Sequence, residues 1–312
     1  MKIKKPSFWD RKEASLLAYL LYPVSQIYRF LNNINNQKKQ TKKNLKIKSV
    51  CVGNIYLGGT GKTSLTIHIK KIIELTGKKV CFIKKKNKKF YDEINLLSIN
   101  GKTFSEKSRY ESLLKAEEEK FDYAIFDDGL HDTEIDYDLK IVCFNKKNWM
   151  GNGFLIPAGP LREKIENIKK YQIAVLIGND EPTTEKIKFL KKINNNLKCF
   201  DAEYKLNNKS EININDNYLI FSGIGNHSSF VDMLNKYKIK ITENLEFPDH
   251  YKYKEIEIKN LIKMANEKNL QLLTTEKDIQ RINSPLKEKI KHINVALSLK
   301  DENKFISEIK NI

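Results

Sequence analysis

The run Gly58-Gly59-Thr60-Gly61-Lys62-Thr63 restricts this chain to few folds, because of what stands on either side of it. Residues 48–52 before it read as a buried strand, and residues 64–73 after it carry apolar side chains at helical spacing. Strand, glycine turn, Gly-Lys-Thr and helix is the context in which a phosphate-binding loop has meaning. Gly58, Gly59, Thr60 and Gly61 would turn successive backbone N–H groups toward phosphate oxygens, and the helix N-terminus adds partial positive charge. Lys62 would reach the outer phosphates, and Thr63 would offer its hydroxyl to Mg²⁺. Tyr56 stands where the strict pattern has its first glycine, so flexibility falls to Gly58 and Gly59.

Strand candidates then alternate with helical patterns, at residues 79–83, 121–126, 139–144 and 173–177. That alternation predicts an α/β fold of P-loop NTPase type, a mostly parallel sheet with helices on both faces. A second set, with strands at 218–221, 270–275 and 293–297 and a helix at 229–236, predicts a smaller C-terminal α/β subdomain that closes a cleft. The expected division is an N-terminal helix with basic linker at 1–44, a P-loop domain at 45–205 and the smaller part at 206–312. The Lys/Asn-rich stretches 32–48 and 194–216 read as connectors, and 181–184 as a turn.

The segment 121–126 runs into Asp127-Asp128. In a doubly wound sheet the strand C-termini line one edge, where a phosphate-binding loop also opens. A carboxylate there can hold Mg²⁺ directly or through water, which makes Thr63 and Asp127 metal candidates. Asp128 would position an acceptor hydroxyl or a second water. Transfer of a phosphoryl group to a hydroxyl also needs an acceptor for the proton. Asp92-Glu93 and His250, in Phe247-Pro248-Asp249-His250, are the two candidates; His68 and His292 carry no motif.

Four separated cysteines leave no Cys-x-x-Cys, which excludes a metal knuckle or redox motif on spacing. The net charge of +18 is concentrated at one end: the first fifty residues hold twelve Lys/Arg against two acids. This excess flanks an apolar segment at 14–30 that contains Pro23, Gln26 and Arg29. As a helix it would span about 25 Å at ~1.5 Å per residue, short of a ~30 Å hydrocarbon core. With Trp9, Tyr19, Tyr22 and Tyr28 around it, it reads as a membrane-associated helix lying in or dipping into an anionic surface. A helix packed on the domain and a full span are the alternatives.

Gly53-Asn54 with the glycine loop resembles the opening of the tetraacyldisaccharide 4'-kinase family, the lipid A 4'-kinases. Further segments are similar in order: Asp92-Glu93, Asp127-Asp128-Gly129-Leu130-His131, Gly151-Asn152-Gly153 through Pro157-Ala158-Gly159-Pro160-Leu161-Arg162-Glu163, Phe221 to Asn226 with Phe247 to His250, and Leu273-Thr274-Thr275-Glu276-Lys277-Asp278. The resemblance implies ATP-dependent phosphorylation of the 4'-hydroxyl of a tetraacylated glucosamine disaccharide 1-phosphate, in lipid A biosynthesis at the cytoplasmic face of a Gram-negative inner membrane. It implies ATP and Mg²⁺ as cofactors, and the lipid disaccharide and bilayer surface as partners, with no nucleic acid. Carried over, Asp92 resembles the family's general base and His250 its paired histidine. Lys62 and Thr63 match phosphate and metal residues, and Glu93, Asp127 and Asp128 match an acidic cluster around Mg²⁺. Two departures stand out. Lys84-Lys85-Lys86-Asn87-Lys88 replaces the Ser-Arg-Gly-Tyr-Gly usual in members, and His131 replaces Gln.

Two other classes fit parts of the sequence. A membrane-recruited P-loop ATPase or GTPase switch would need no His250. A nucleic-acid-binding module would use the positive charge, although no reading motif is present.

Overall fold

The computed structural model describes residues 5–35, 45–87, 90–179, 182–282 and 285–312. They divide into two compact units, a larger one of 5–86, 100–203 and 299–312 and a smaller one of 87–99 and 204–298. Lys2, Lys4, Lys38, Lys39, Lys42, Lys43, Lys88 and Glu181, which the sequence reading used, lie outside the described residues.

The larger unit begins with α1 (Leu16–Asn35), β1 (Lys48–Gly53), α2 (Lys62–Glu74) and β2 (Val80–Ile83). The chain leaves it for α3 (Tyr91–Asn100) and returns for β3 (Thr103–Phe104), α4 (Arg109–Glu118), β4 (Tyr123–Asp127), β5 (Leu139–Asn145), β6 (Ile173–Ile177), α5 (Thr184–Ile193) and β7 (Lys198–Leu206). Its strands run in the order β7-β6-β5-β1-β4-β2-β3, each parallel to its neighbours. Helices cover such a sheet, so its strands are continuous apolar runs; all five residues of β6 and the last five of β1 are buried. Strand β1 sits between β4 and β5, where the winding reverses, so the loop after β1 opens at the crevice outside the strand C-termini.

The smaller unit carries α3, β8 (Asn217–Ser222), α6 (His227–Lys236), β9 (Lys240–Glu246), α7 (Glu255–Glu267), β10 (Gln271–Thr275), α8 (Glu276–Ile279), β11 (Lys291–Ile293) and most of β12 (Val295–Leu299). Its parallel sheet has the order β11-β10-β8-β9 over a core of Leu219, Phe221, Ile258, Leu261 and Leu272. The last helix, α9 (Glu302–Lys310), lies in the larger unit.

Local structure differs from the sequence reading in five places, one being α9, which was expected in the smaller C-terminal part and lies in the larger unit. Strand β7 lies inside the stretch read as a connector, where Phe200, Ala202 and Leu206 are buried between polar residues. Strand β9 was not expected, because Lys240–Glu246 has no buried residue at all. The segment read as one strand at 293–297 is divided between β11 and β12. Most consequentially, 87–99 belongs to the smaller unit instead of the P-loop domain, and the bonds made by Asp92 supply the reason.

Helix α1 is turned opposite to a core helix. Its small residues face inward: Ala18 and Ser25 are buried, Ser25 Oγ donates to Leu155 O at 2.9 Å, and the Ala158 N–H donates to Ser25 Oγ at 3.1 Å. Asn32 Nδ2 donates to Arg162 O at 3.2 Å. Its large residues face out, with Leu16 78 %, Leu20 68 %, Ile27 61 % and Phe30 65 % exposed. The helix therefore packs on the larger unit through Ala18, Ser25 and Tyr28, without burying Leu16, Leu20, Ile27 or Phe30 there. No helix among the described residues is long and apolar enough to cross a membrane.

Candidate active site

In the larger unit the glycine loop is built around Asn54. Its buried amide donates to Tyr56 O at 2.6 Å, Gly58 O at 3.2 Å and Thr60 Oγ1 at 2.9 Å, so one side chain fixes three points of the turn. Gly61 caps α2 at φ 85°, a left-handed conformation that side chains disfavour. Helix α2 then starts at Lys62 with the unbonded N–H groups of its first turn facing the loop.

Strand β4 delivers Asp127 and Asp128 to this loop. Asp127 is fully buried, and its Oδ2 accepts from Thr63 Oγ1 at 3.1 Å and Lys84 Nζ at 2.8 Å. Asp128 follows at φ 63°, a left-handed position that costs a non-glycine residue on the order of 1 kcal/mol. Its carboxylate lies 3.9 Å from Lys62 Nζ and 3.1 Å from Arg162 Nη1, and Arg109 Nη2 donates to its carbonyl at 2.6 Å. Burial pushes the Asp128 carboxyl up, but Lys62, Arg162 and Lys84 outweigh burial and hold it well below the usual carboxylate range. The positive charge around this carboxylate is suited to receiving anions.

Asp127 also gives the test of whether a metal fits. Its Oδ1 is buried with no hydrogen-bond partner among the described residues, so a cation would satisfy it. A carboxylate and a hydroxyl are the protein share expected for Mg²⁺, which takes its other ligands from phosphate and water. No cluster of three or more His, Cys, Asp or Glu suited to a metal exists among the described residues.

In the smaller unit His250 and Arg281 converge on Asp92. His250 Nδ1 lies 3.1 Å from both of its carboxylate oxygens. Arg281 Nη2 and Nε donate to Oδ2 at 2.6 and 3.0 Å. Burial raises the Asp92 carboxyl, while the His250 hydrogen bond and the Arg281 charge lower it further, for a net shift well below the usual range. Asp92 is therefore ionised at neutral pH. Both partners are themselves held. The Gly223 carbonyl accepts from the His250 N–H at 2.9 Å and from Arg281 Nη1. Asp278, fully buried, accepts from Arg281 Nη1, the Gly223 N–H, the Tyr253 hydroxyl and the Thr275 hydroxyl. A Cβ on Gly223 would come within 2.9 Å of Tyr251 Cβ and 3.0 Å of Pro248 O, which is why glycine stands here. His250, at φ 55°, is a second left-handed non-glycine.

The sequence-predicted residues thus fall into two groups. Lys62, Thr63, Asp127 and Asp128 gather at the glycine loop of the larger unit, and Asp92, Glu93 and His250 lie in the smaller one. Glu93 Oε1 lies 3.8 Å from Lys277 Nζ, within that unit. Lys84 was read as part of a basic run and is buried against Asp127. Arg281 lies three residues beyond the last matched block; its one sequence signal was a helical i,i+3 spacing from Asp278.

The tetraacyldisaccharide-1-P 4'-kinase family model matches residues 17–86 and 83–312. A tetraacyldisaccharide 4'-kinase of Pelagibacter ubique is 45% identical over 309 residues, covering 99% of this chain and 98% of that protein. One from Rickettsia felis is 32% identical over 320 residues, covering 96% and 94%. Among solved structures, LpxK from Aquifex aeolicus in complex with ATP superimposes with a TM-score of 0.70 over 95% of this chain and 99% of that one. At 23% identity this likeness speaks for the fold.

Proposed function

The chain is a member of the tetraacyldisaccharide 4'-kinase family, and we propose that it transfers the γ-phosphate of ATP to the 4'-hydroxyl of a tetraacylated glucosamine disaccharide 1-phosphate. The observation that carries this reading is the Asp92–His250 pair at 3.1 Å. A nucleotide-hydrolysing switch has no use for a histidine-held carboxylate in a second unit, whereas transfer to an alcohol needs a proton acceptor.

The glycine loop and the first turn of α2 hold the triphosphate, and Lys62 neutralises charge on the phosphate being transferred. Thr63 and Asp127 hold Mg²⁺, which supplies charge neutralisation at the phosphate oxygens when bound. Asp128, itself held by Arg162, fixes Lys62 by its opposite charge. Asp92, ionised before the acceptor arrives, takes the proton of the attacking hydroxyl. His250 orients the Asp92 carboxylate through Nδ1, and Arg281 keeps it in one rotamer.

The acceptor is held in a bilayer by its acyl chains, so the enzyme works at a lipid surface. The outward Leu16, Leu20, Ile27 and Phe30 of α1 enter the headgroup–acyl boundary, as a helix lying in the interface plane does. Arg11 and Lys12 next to it favour an anionic surface, by about 1 kcal/mol for each such charge. This makes the protein a peripheral or monotopic enzyme of the cytoplasmic face of the inner membrane, where ATP is available.

Incubation with γ-labelled ATP, Mg²⁺ and the lipid disaccharide 1-phosphate in mixed micelles tests the reaction. Label is expected in the lipid phase. Label released only as inorganic phosphate, at a rate indifferent to the lipid, would support the switch reading instead.

A further inference from the structure

Lys84 follows β2, and its backbone is fixed there: its N–H donates to Phe104 O at 3.1 Å. Its side chain is 4 % exposed, and its ammonium lies 2.8 Å from Asp127 Oδ2. That oxygen is also the one bonded by Thr63 Oγ1. So the carboxylate oxygen that fits a divalent ion already carries a cation supplied by the chain. Mg²⁺ binds oxygen at about 2.0–2.1 Å and demands near-octahedral geometry. An ammonium on the same oxygen would face it across a few ångströms in a buried setting, where like charges repel strongly.

We propose that Lys84 is a built-in competitor of the divalent ion at Asp127, and that it sets how much metal the protein needs before it binds a triphosphate in its metal-bound form. This rests on the reading of Thr63 and Asp127 as the metal-binding pair. Lys84 has two effects of opposite sign. Without metal it neutralises Asp127, lowering the repulsion that two adjacent carboxylates would exert on phosphates. With metal it must withdraw from Oδ2. Its flexible four-carbon stem allows this by rotamer changes alone, with β2 left in place.

The test uses the full chain, a fluorescent ATP analogue and a Mg²⁺ titration at fixed nucleotide, with binding as the readout. Lys84→Ser and Lys84→Met remove the charge, and Lys84→Met retains most of the stem for packing should the serine variant fail to fold. In both, the Mg²⁺ midpoint is expected to fall about tenfold. In EDTA, affinity for the analogue is expected to fall by a similar factor. Lys84→Arg, which keeps the charge, should show neither change. Unfolding followed by circular dichroism should show the neutral variants gaining more thermal stability from Mg²⁺ alone than the wild type gains. If the wild type binds the analogue but the folded neutral variants keep its midpoint, or need more metal, Lys84 does not compete and the proposal falls. If the wild type binds no analogue at all, the phosphate-loop reading fails first.

Discussion

Arg281 Nη2 approaches Asp92 Oδ2 to 2.6 Å, although 189 residues separate them in the chain. His250 Nδ1, 158 residues on from Asp92, approaches the same carboxylate at 3.1 Å. A carboxylate so held is fixed in rotamer and charge. Asp92→Asn keeps the shape and loses the capacity to accept a proton. Turnover should fall by about 10²–10⁴, the usual range for a general base, while ATP affinity stays within a factor of two. Normal turnover in this variant would remove Asp92 from the chemistry.

Arg281 acts through Asp92, so its effect should be visible in pH dependence. The groups facing Asp92 are His250 and Arg281, with Asp249, Asp278 and Tyr253 behind them. An unfolded Asp titrates near ~3.9, and Asp92 titrates below that when folded. Its contribution to stability is therefore complete above about pH 4 and is lost as pH falls through the folded value. Arg281→Lys leaves a point charge without the fork and should lower kcat about tenfold at unchanged ATP KM. Arg281→Ala should also move the acidic limb of the kcat profile to higher pH. Superimposable profiles would reduce Arg281 to a packing residue.

Asn54→Ala removes the amide that donates to Tyr56, Gly58 and Thr60. The two backbone carbonyls lose a buried donor, at about 1–3 kcal/mol each when left unsatisfied. Nucleotide affinity should drop at least tenfold while the Asp92 network of the smaller unit is untouched. Calorimetric titration with an ATP analogue, alongside urea unfolding, reads both.

Lys62→Ala should weaken both nucleotide binding and rate. Asp128 then loses one of the charges that depress its carboxyl, so that carboxyl moves back up toward the ordinary range. A variant with intact affinity would show that the loop is not the triphosphate site.

Membrane attachment is best tested without deleting the N-terminal segment. Trp9 is buried, Trp9 Nε1 donates to Pro157 O at 3.0 Å, and Ser25 bonds the 155–158 loop, so removal of the segment would disturb the larger unit itself. Replacing Leu16, Leu20, Ile27 and Phe30 by Ser changes only exposed positions. Sedimentation with anionic liposomes should fall sharply, and the unfolding temperature should hold. Undiminished sedimentation would mean that another surface binds lipid.

The parts legible in the sequence were those whose causes are local. β1, the glycine loop and α2 are contiguous, and their period, glycines and Gly-Lys-Thr announce them. β4 ending at Asp127 announced itself in the same way. The Asp92–His250 pairing bridges 158 residues and came only from resemblance, since no period links them. Lys84 was hidden because a lysine within a lysine run looks solvated, and only the tertiary fold buries it against a carboxylate. The orientation of α1 was hidden too. A hydrophobic period gives the apolar face of a helix, but whether that face meets protein or lipid depends on the Ser25 and Asn32 bonds across the chain. β7 was masked by its charged residues, Lys198, Asp201, Glu203 and Lys205, which are interspersed with the buried Phe200, Ala202 and Leu206.

The excursion of residues 87–99 into the smaller unit has a consequence for anyone dividing this protein. A gene split near residue 205 would send Asp92 away with one fragment and His250 and Arg281 with the other, so the triad exists only in the uncut polypeptide. Chimaeras between relatives should therefore exchange 87–99 together with 204–298, because the inserted helix and its acceptor network are inherited as a single working piece.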